Sequence, residues 1–152
     1  MLDQITKILI TTNFELNEHV TIIPHLLDFR YVRNYGAAGG ILANHRWVFM
    51  TITALVLIAC VFLLINEKFL KNRLDYIAVV LIFSGGVGNM IDRTFRGSFL
   101  EGSVIDFFNL SFFPFIFNVA DILVVVGAGL IIFTQIRGMF VKPKTEPKTE
   151  EK

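Results

Sequence analysis

Residues 117–136 read FNVADILVVVGAGLIIFTQI, an apolar run of the length that a membrane-spanning helix needs. Asp121, near the start of this run, is the only charged residue between Asp106 and Arg137. An acid at the centre of a spanning helix costs roughly 2.5–3.5 kcal/mol on insertion, so an acid in such a segment indicates a functional site. Asp121 therefore needs a partner elsewhere in the chain.

The composition is that of a membrane protein. Soluble domains carry about 25% charged residues, whereas this chain of 152 residues carries 18%, with 54% hydrophobic residues and a mean hydropathy of +0.63. We predict one small multi-pass structural unit. The net charge of +1 gives no basis for a nucleic-acid partner. Cys60, the single cysteine, is predicted to be a packing residue.

Hydropathy predicts three spanning helices, over residues 47–65, 76–91 and 112–136. Residues 1–12 are helix-like but too short to span. They are either a surface helix or the second half of a first spanning helix. Residues 13–46 contain two strand-like pieces, 19–23 and 29–32, and the small-residue stretch 34–40, which is either a turn or a place of close ligand approach.

Basic residues predict the orientation. The link 66–75 holds three Lys or Arg residues, and residues 137–152 hold five more, so both segments are expected in the cytoplasm. Residues 139–152 are predicted to be a disordered tail, because they are charged and broken by proline. Segments 13–46 and 92–111 then face outward.

Two N-x-x-D motifs reach this outer face. Asn89-Met90-Ile91-Asp92 closes one predicted span, and Asn118-Val119-Ala120-Asp121 opens the next. Asp106 lies between them, in the apolar setting Val104-Ile105-Asp106-Phe107. The chain linking Asp106 to Asp121 is long enough to fold back and bring the two carboxylates together. Asp92 is the other candidate partner for Asp121.

Three kinds of chemistry fit these residue types. Two carboxylates held close in low dielectric come to share one proton. The ionised member can activate a water, and the protonated member can polarise a peptide carbonyl, without a metal or cofactor. A structural ion pair and a proton or cation pathway use the same residues, and the residue types alone leave all three open.

Five motifs, in order, resemble bacterial lipoprotein signal peptidases (signal peptidase II), aspartyl endopeptidases of the inner membrane. The resemblance extends from Leu2 to about Phe133. The motifs are Asp3-Gln4-x-x-Lys7, Val32-Arg33-Asn34-x-Gly36-Ala37-Ala38, Gly85-Gly86-x-Gly88-Asn89-x-x-Asp92-Arg93, Val104-Ile105-Asp106-Phe107 and Phe117-Asn118-x-Ala120-Asp121.

The resemblance implies a fold and a location. The fold is an all-α polytopic four-helix transmembrane bundle with a short first helix, and residues 13–46 form a small outer-face β-sheet and an interfacial helix. Residues 1–138 are then one peptidase domain. The location is the bacterial cytoplasmic (inner) membrane, with the active site at its outer face.

The resemblance also implies an activity, which is removal of the signal peptide from prolipoproteins just before a diacylglyceryl-modified cysteine. The expected partners are this substrate and membrane lipids, with no cofactor, no metal and no nucleic acid. Asp106 and Asp121 would be the catalytic pair. The substrate-binding residues would be Asn34, Gly36, Asn89, Arg93 and Asn118. Asp3, Lys7 and Asp92 would give structural support, Asp92 by holding Arg93.

The alternative is a truncated, inactive relative that acts as a membrane scaffold. An ion carrier is a third possibility, but it would place its acids along a path through the membrane, whereas these acids cluster at one interface.

Overall fold

Three long apolar helices form the membrane part of the molecule. The computed structural model describes residues 2–36, 46–97 and 102–140. Within these, α2 (Arg46–Ile65), α3 (Arg73–Phe95) and α4 (Val119–Phe140) are each long and apolar enough to cross a membrane. At 1.5 Å per residue, a helix of 20 residues spans the roughly 30 Å hydrocarbon core. The chain is therefore a multi-pass helical membrane protein.

Helix α1 (Leu2–Asn13) has 12 residues and is shorter than a span. The side of this helix that faces away from the protein is apolar and exposed, whereas Asp3, Lys7 and Ile10 are buried on the side that packs against the rest of the molecule. A 3-10 turn at Glu67–Phe69 separates α2 from α3. The side chain of Asn72 caps α3 by accepting a hydrogen bond from the backbone N–H of Asp75 at 3.0 Å.

Four antiparallel strands form one sheet in the order β1 (His19–Ile23), β2 (Leu27–Asn34), β3 (Val104–Leu110) and β4 (Ile116–Phe117). The two predicted strand pieces are confirmed, and β2 is longer than its predicted piece. Strands β3 and β4 were not predicted from the sequence. The first four residues of β3 are all buried, so this inner strand lacks the alternation that marks a half-exposed strand.

The last span begins at Val119, so its predicted start at residue 112 is wrong. Pro114 has no backbone N–H and disfavours helix before it. The chain turns at Phe113, whose N–H donates to the carbonyl of Leu110 at 3.0 Å, and then pairs with β3 as β4. The described part of the helix runs to Phe140 and so includes the first two residues of the predicted tail.

The core between α1 and the sheet is built from Ile10, Tyr31, Ile105 and Phe107. Helices α3 and α4 approach closely where small residues meet: a Cβ on Gly85 would overlap the carbonyl oxygen of Ala120. An interfacial helix was predicted in the segment 13–46, and residues 37–45 of that segment lie outside the described residues. The predicted tail lies outside them from residue 141 onward.

Candidate active site

Four elements bring polar side chains to one cavity of about 510 Å³. Strand β3 contributes Asp106, the first turn of α4 contributes Asp121, α3 contributes Asn89, and the end of β2 contributes Asn34. Gly36 and Arg93 also line this cavity. Six of the seven residues predicted for catalysis and substrate binding thus share one space, and the seventh, Asn118, is buried beside it.

Asn118 and Asp121 form a capping box at the start of α4. The side-chain oxygen of Asn118 accepts from the backbone N–H of Asp121 at 3.0 Å, and Asp121 Oδ2 accepts from the backbone N–H of Asn118 at 3.1 Å. Two of the unpaired donors at a helix start are satisfied in this way. The N-x-x-D pattern carried this signal, although no helix cap was predicted from it.

Asp106 is 2% exposed, and both of its carboxylate oxygens accept hydrogen bonds from amides. Asn118 Nδ2 donates to Oδ1 at 2.6 Å, and Asn34 Nδ2 donates to Oδ2 at 2.9 Å. Burial, and then the neighbouring charge of Asp121, raises the pKa of Asp106 to about 7, although the two amides oppose the shift. Asp106 therefore keeps a proton close to neutral pH.

Three asparagines at the site have their amide orientation fixed by a donor on the far side. Gly36 N–H donates to Asn34 Oδ1 at 3.0 Å, Asp121 N–H donates to Asn118 Oδ1, and Lys7 Nζ donates to Asn89 Oδ1 at 2.9 Å. Because these donors occupy the amide oxygens, the N–H₂ groups point toward the carboxylates. Asn89 Nδ2 accordingly donates to Asp121 Oδ1 at 2.8 Å.

The predicted support residues form a buried charge network beneath the cavity. Lys7 Nζ lies 2.9 Å from Asp3 Oδ2 and 2.7 Å from Asp92 Oδ2. Asp3 also accepts the backbone N–H of Ala120 at 3.0 Å, and so satisfies another donor at the start of α4. Asp92 accepts the backbone N–H of Ile105 at 3.3 Å. The network thus joins α1, α3, α4 and β3 around the two acids.

The cations that pair with Asp92 in the structure are not the one predicted, which was Arg93. Among the described residues, Asp92 pairs with Lys7 and with Arg96, whose Nε lies 2.7 Å from Asp92 Oδ1. Arg93 instead donates to the backbone carbonyl of Asn89 at 3.4 Å and lines the cavity. The i, i+4 spacing of Asp92 and Arg96 was the signal available in the sequence.

Gln4 and Gly88 were not singled out as functional residues by the sequence analysis. Gln4 Nε2 donates to both Asp3 and Asp92, and its Oε1 accepts from Arg96. A Cβ on Gly88 would lie 2.6 Å from Asp3 Oδ2, so the absent side chain leaves room for the network. Both residues lie inside motifs quoted above, but their contacts depend on how α1 packs against α3.

The remaining cavity wall is apolar. One side is aromatic and comes from β4 and the turn before it, and the other comes from the first turns of α4. These residues include Phe112, Phe113, Phe115, Phe117, Ile122, Val125 and Val126. Val125 and Val126 belong to a spanning helix and are exposed, so this wall adjoins the lipid-facing surface. The cavity therefore has a polar end with two acids and an apolar side.

These features define a class: a multi-pass helical membrane protein with a small antiparallel sheet and two acids in a largely apolar cavity. A family model described as signal peptidase (SPase) II matches residues 1–137. The chain belongs to this family, whose members are aspartic-type peptidases of lipoprotein processing.

Two of the similar proteins are lipoprotein signal peptidases of Staphylococcus aureus. That of strain bovine RF122 / ET3-1 is 37% identical and that of strain MRSA252 is 36% identical, each over 96% of this chain and 88% of the relative. Among solved structures, a bacterial membrane enzyme at 2.3 Å resolution superposes with a TM-score of 0.82 at 35% identity, covering 97% of this chain and 88% of that chain. A second, at 1.9 Å, gives 0.73 at 36% identity, covering 90% and 86%.

Proposed function

We propose that Asp106 and Asp121 are a catalytic carboxylate pair that removes the signal peptide from prolipoproteins, cleaving just before the diacylglyceryl-modified cysteine. The observation that carries the proposal is the shared cavity: two acids from different elements, each held by amide donors, face one largely apolar space. Membership of the signal peptidase II family supports the substrate class.

The proposed reaction is hydrolysis of one peptide bond by water. The ionised acid takes a proton from water, and the resulting hydroxide attacks the carbonyl carbon. The protonated acid donates a hydrogen bond to the carbonyl oxygen and then gives its proton to the leaving amine as the C–N bond breaks. A raised pKa of about 7 for Asp106 supports a pair that holds one proton near neutral pH.

Asn34, Gly36, Asn89, Arg93 and Asn118 are proposed to position the substrate backbone and its lipid-bearing cysteine. Their part is twofold, because the three amides and Gly36 N–H also orient the acids. Arg93 lines the cavity and offers a cation to a carbonyl or ester oxygen. Lipid anchoring of the substrate would hold the scissile bond near the pair and so raise its effective concentration.

The proposed setting is the bacterial cytoplasmic membrane, with the sheet and the acids at its outer face and α1 as the fourth, short member of the bundle. Residues 1–138 would then be one peptidase domain, followed by a cytoplasmic tail. Exposed apolar residues on α1, such as Leu2, Ile5 and Ile8, support contact of this helix with lipid.

The test is cleavage of a purified lipidated precursor by variants reconstituted in vesicles. Asp106→Asn and Asp121→Asn are each expected to reduce the turnover number by at least about 10²-fold, because each removes a proton-transfer group. Asp28→Asn is the matched control, since Asp28 lies on β2 of the same sheet and contacts Asn109, away from the cavity. Near-normal turnover by either of the first two variants would show that the assigned pair is wrong.

A further inference from the structure

Lys7 is completely buried, and its ammonium group has three hydrogen-bond acceptors. They are Asp3 Oδ2 at 2.9 Å, Asp92 Oδ2 at 2.7 Å and Asn89 Oδ1 at 2.9 Å. A structural role, in which Lys7 neutralises the buried carboxylates of Asp3 and Asp92, explains the first two contacts. The third contact is different, because its acceptor, Asn89, is uncharged and lines the cavity.

This third contact determines which atom of Asn89 faces Asp121. An ammonium group can only donate, so the side-chain atom of Asn89 beside Lys7 must be the oxygen. The amide nitrogen is then directed to Asp121 Oδ1 at 2.8 Å. Asn89 Oδ1 also accepts from Asn118 Nδ2 at 3.1 Å, which in turn donates to Asp106.

Lys7 differs from the other two groups that fix amides at the site. The oxygens of Asn34 and Asn118 are held by backbone N–H groups, which no substitution other than proline removes. Within the part of the chain that the structure describes, Lys7 is the one charged side chain that donates to the amide oxygen of an asparagine bound to either acid, and the amide of Asn118 is the other side-chain donor to Asn89.

The two acids are not in equivalent surroundings. Asp121 is the third residue of α4, where the helix dipole favours a negative charge. It also accepts from Asn89 and from the backbone N–H of Asn118. Asp106 lies on a strand, almost fully buried. The geometry therefore favours ionisation of Asp121 and protonation of Asp106.

We propose that Lys7 is a positioning residue: by fixing Asn89 it keeps Asp121 the ionised, water-activating member of the pair, and leaves the shared proton on Asp106. This inference rests on the function proposed above. The ionisable groups around the pair come from four elements, namely Asp3, Lys7, Asp92, Arg93, Arg96, Asp106 and Asp121.

The experiment measures kcat and KM for a lipidated precursor from pH 4 to 9, together with thermal unfolding. In Lys7→Met the ionised acid loses a nearby cation, and the amide of Asn89 keeps only the weaker, uncharged donor Asn118 on its oxygen. The acidic limb of the kcat profile should therefore move up by about one pH unit, the size of effect expected for one hydrogen bond to a charged group. KM should change little, because Lys7 does not line the cavity.

Asp3→Asn is the matched control. It disturbs the same network and the same helix, but the Lys7–Asn89 contact remains and Asn Oδ1 can still accept from Ala120 N–H. Its melting temperature should fall, whereas its acidic limb should stay in place or move slightly to lower pH, since an anion is removed. If Lys7→Met does not fold, the double variant Asp3→Asn/Lys7→Met, which has the net charge of the wild type, replaces it. The acidic limb of this double variant should still lie at higher pH than that of Asp3→Asn alone.

An unmoved acidic limb in the lysine variants, with activity reduced only in proportion to the folded fraction, would overturn the inference and leave Lys7 purely structural. Asp106→Asn and Asp121→Asn are run in the same assay. Full activity in either of those would refute the proposed pair itself, so the two failures are distinguishable.

Discussion

Asparagine side chains orient the two carboxylates of this site. Each amide has one acceptor and two donors, so a donor-only neighbour on the oxygen side determines where the N–H groups point. Asn34 and Asn118 receive that neighbour from the backbone, and Asn89 receives it from Lys7. The resulting donors hold two acids in place without supplying charge to a mostly apolar cavity.

The pH dependence of activity should report the proton on Asp106. Burial and the charge of Asp121 raise the pKa of Asp106 to about 7, and the hydrogen bond from Asn34 lowers it. Activity should therefore fall as the pH rises through about 7, because the pair loses its shared proton. Asn34→Leu removes a donor that stabilises the charged form, so the pKa of Asp106 should rise and the alkaline limb should move to higher pH.

Asn109→Leu is the control for this measurement. Asn109 lies on the same strand as Asp106 but contacts Asp28, so its loss should leave the alkaline limb where it is. A limb that stayed fixed in Asn34→Leu, or moved to lower pH, would contradict the role given to Asn34.

The start of α4 is where local and long-range structure meet. The capping box of Asn118 and Asp121 is local, and it determines where the helix begins. Asp3 satisfies a further donor there from another helix. Helix α3 also lies close to the start of α4, and a glycine makes that possible, because a Cβ on Gly85 would meet the backbone of Ala120.

Alanine substitutions should separate this packing effect from helix propensity. Gly85→Ala inserts a methyl group against backbone and against Val124, and should destabilise the protein by about 1–3 kcal/mol. Gly129→Ala is the matched control on α4, since nothing lies within 4 Å of the added Cβ. It should be neutral or stabilise the helix by at most about 1 kcal/mol. Thermal unfolding in detergent measures both, and equal effects would contradict the proposed close approach.

In the folded molecule, the candidate pair depends on a sheet docked against a helical membrane part. Asp106 belongs to the sheet and Asp121 to a spanning helix. The charge network of Asp3, Lys7 and Asp92 connects these parts. Misplacement of the sheet relative to the helices would therefore separate the two acids.

The orientation in the membrane is testable by cysteine labelling, because Cys60 is the only native cysteine. In a Cys60→Ala background, His19→Cys, exposed on β1, should react with a membrane-impermeant maleimide in intact cells. Lys68→Cys, exposed between α2 and α3, should react only after permeabilisation. The positive-inside bias gives this expectation. Labelling in the opposite order would reverse the proposed topology.

Several features could be predicted from the sequence alone: the multi-pass class, two strands and the three spans. Five of the six span ends were predicted to within four residues. Long uncharged runs and alternating segments are local signals, so they need no knowledge of neighbours. Motif order also named six residues that the structure places around one cavity, but not the residues of its apolar wall. The last span was predicted too long at its start, because hydropathy does not distinguish the apolar turn and β4 from helix.

The partners of these residues, by contrast, depend on how the elements pack in three dimensions. Among the described residues, Asp92 pairs with Arg96 and Lys7, whereas Arg93, the expected partner, donates to the backbone carbonyl of Asn89. The first four residues of β3 are buried on both faces of the sheet, so the alternation of apolar and polar residues that predicts a strand is absent there. The orientation of Asn89 depends on a lysine 82 positions away. Such contacts arise from the packing of α1, α3 and the sheet, and no local pattern in the chain encodes them.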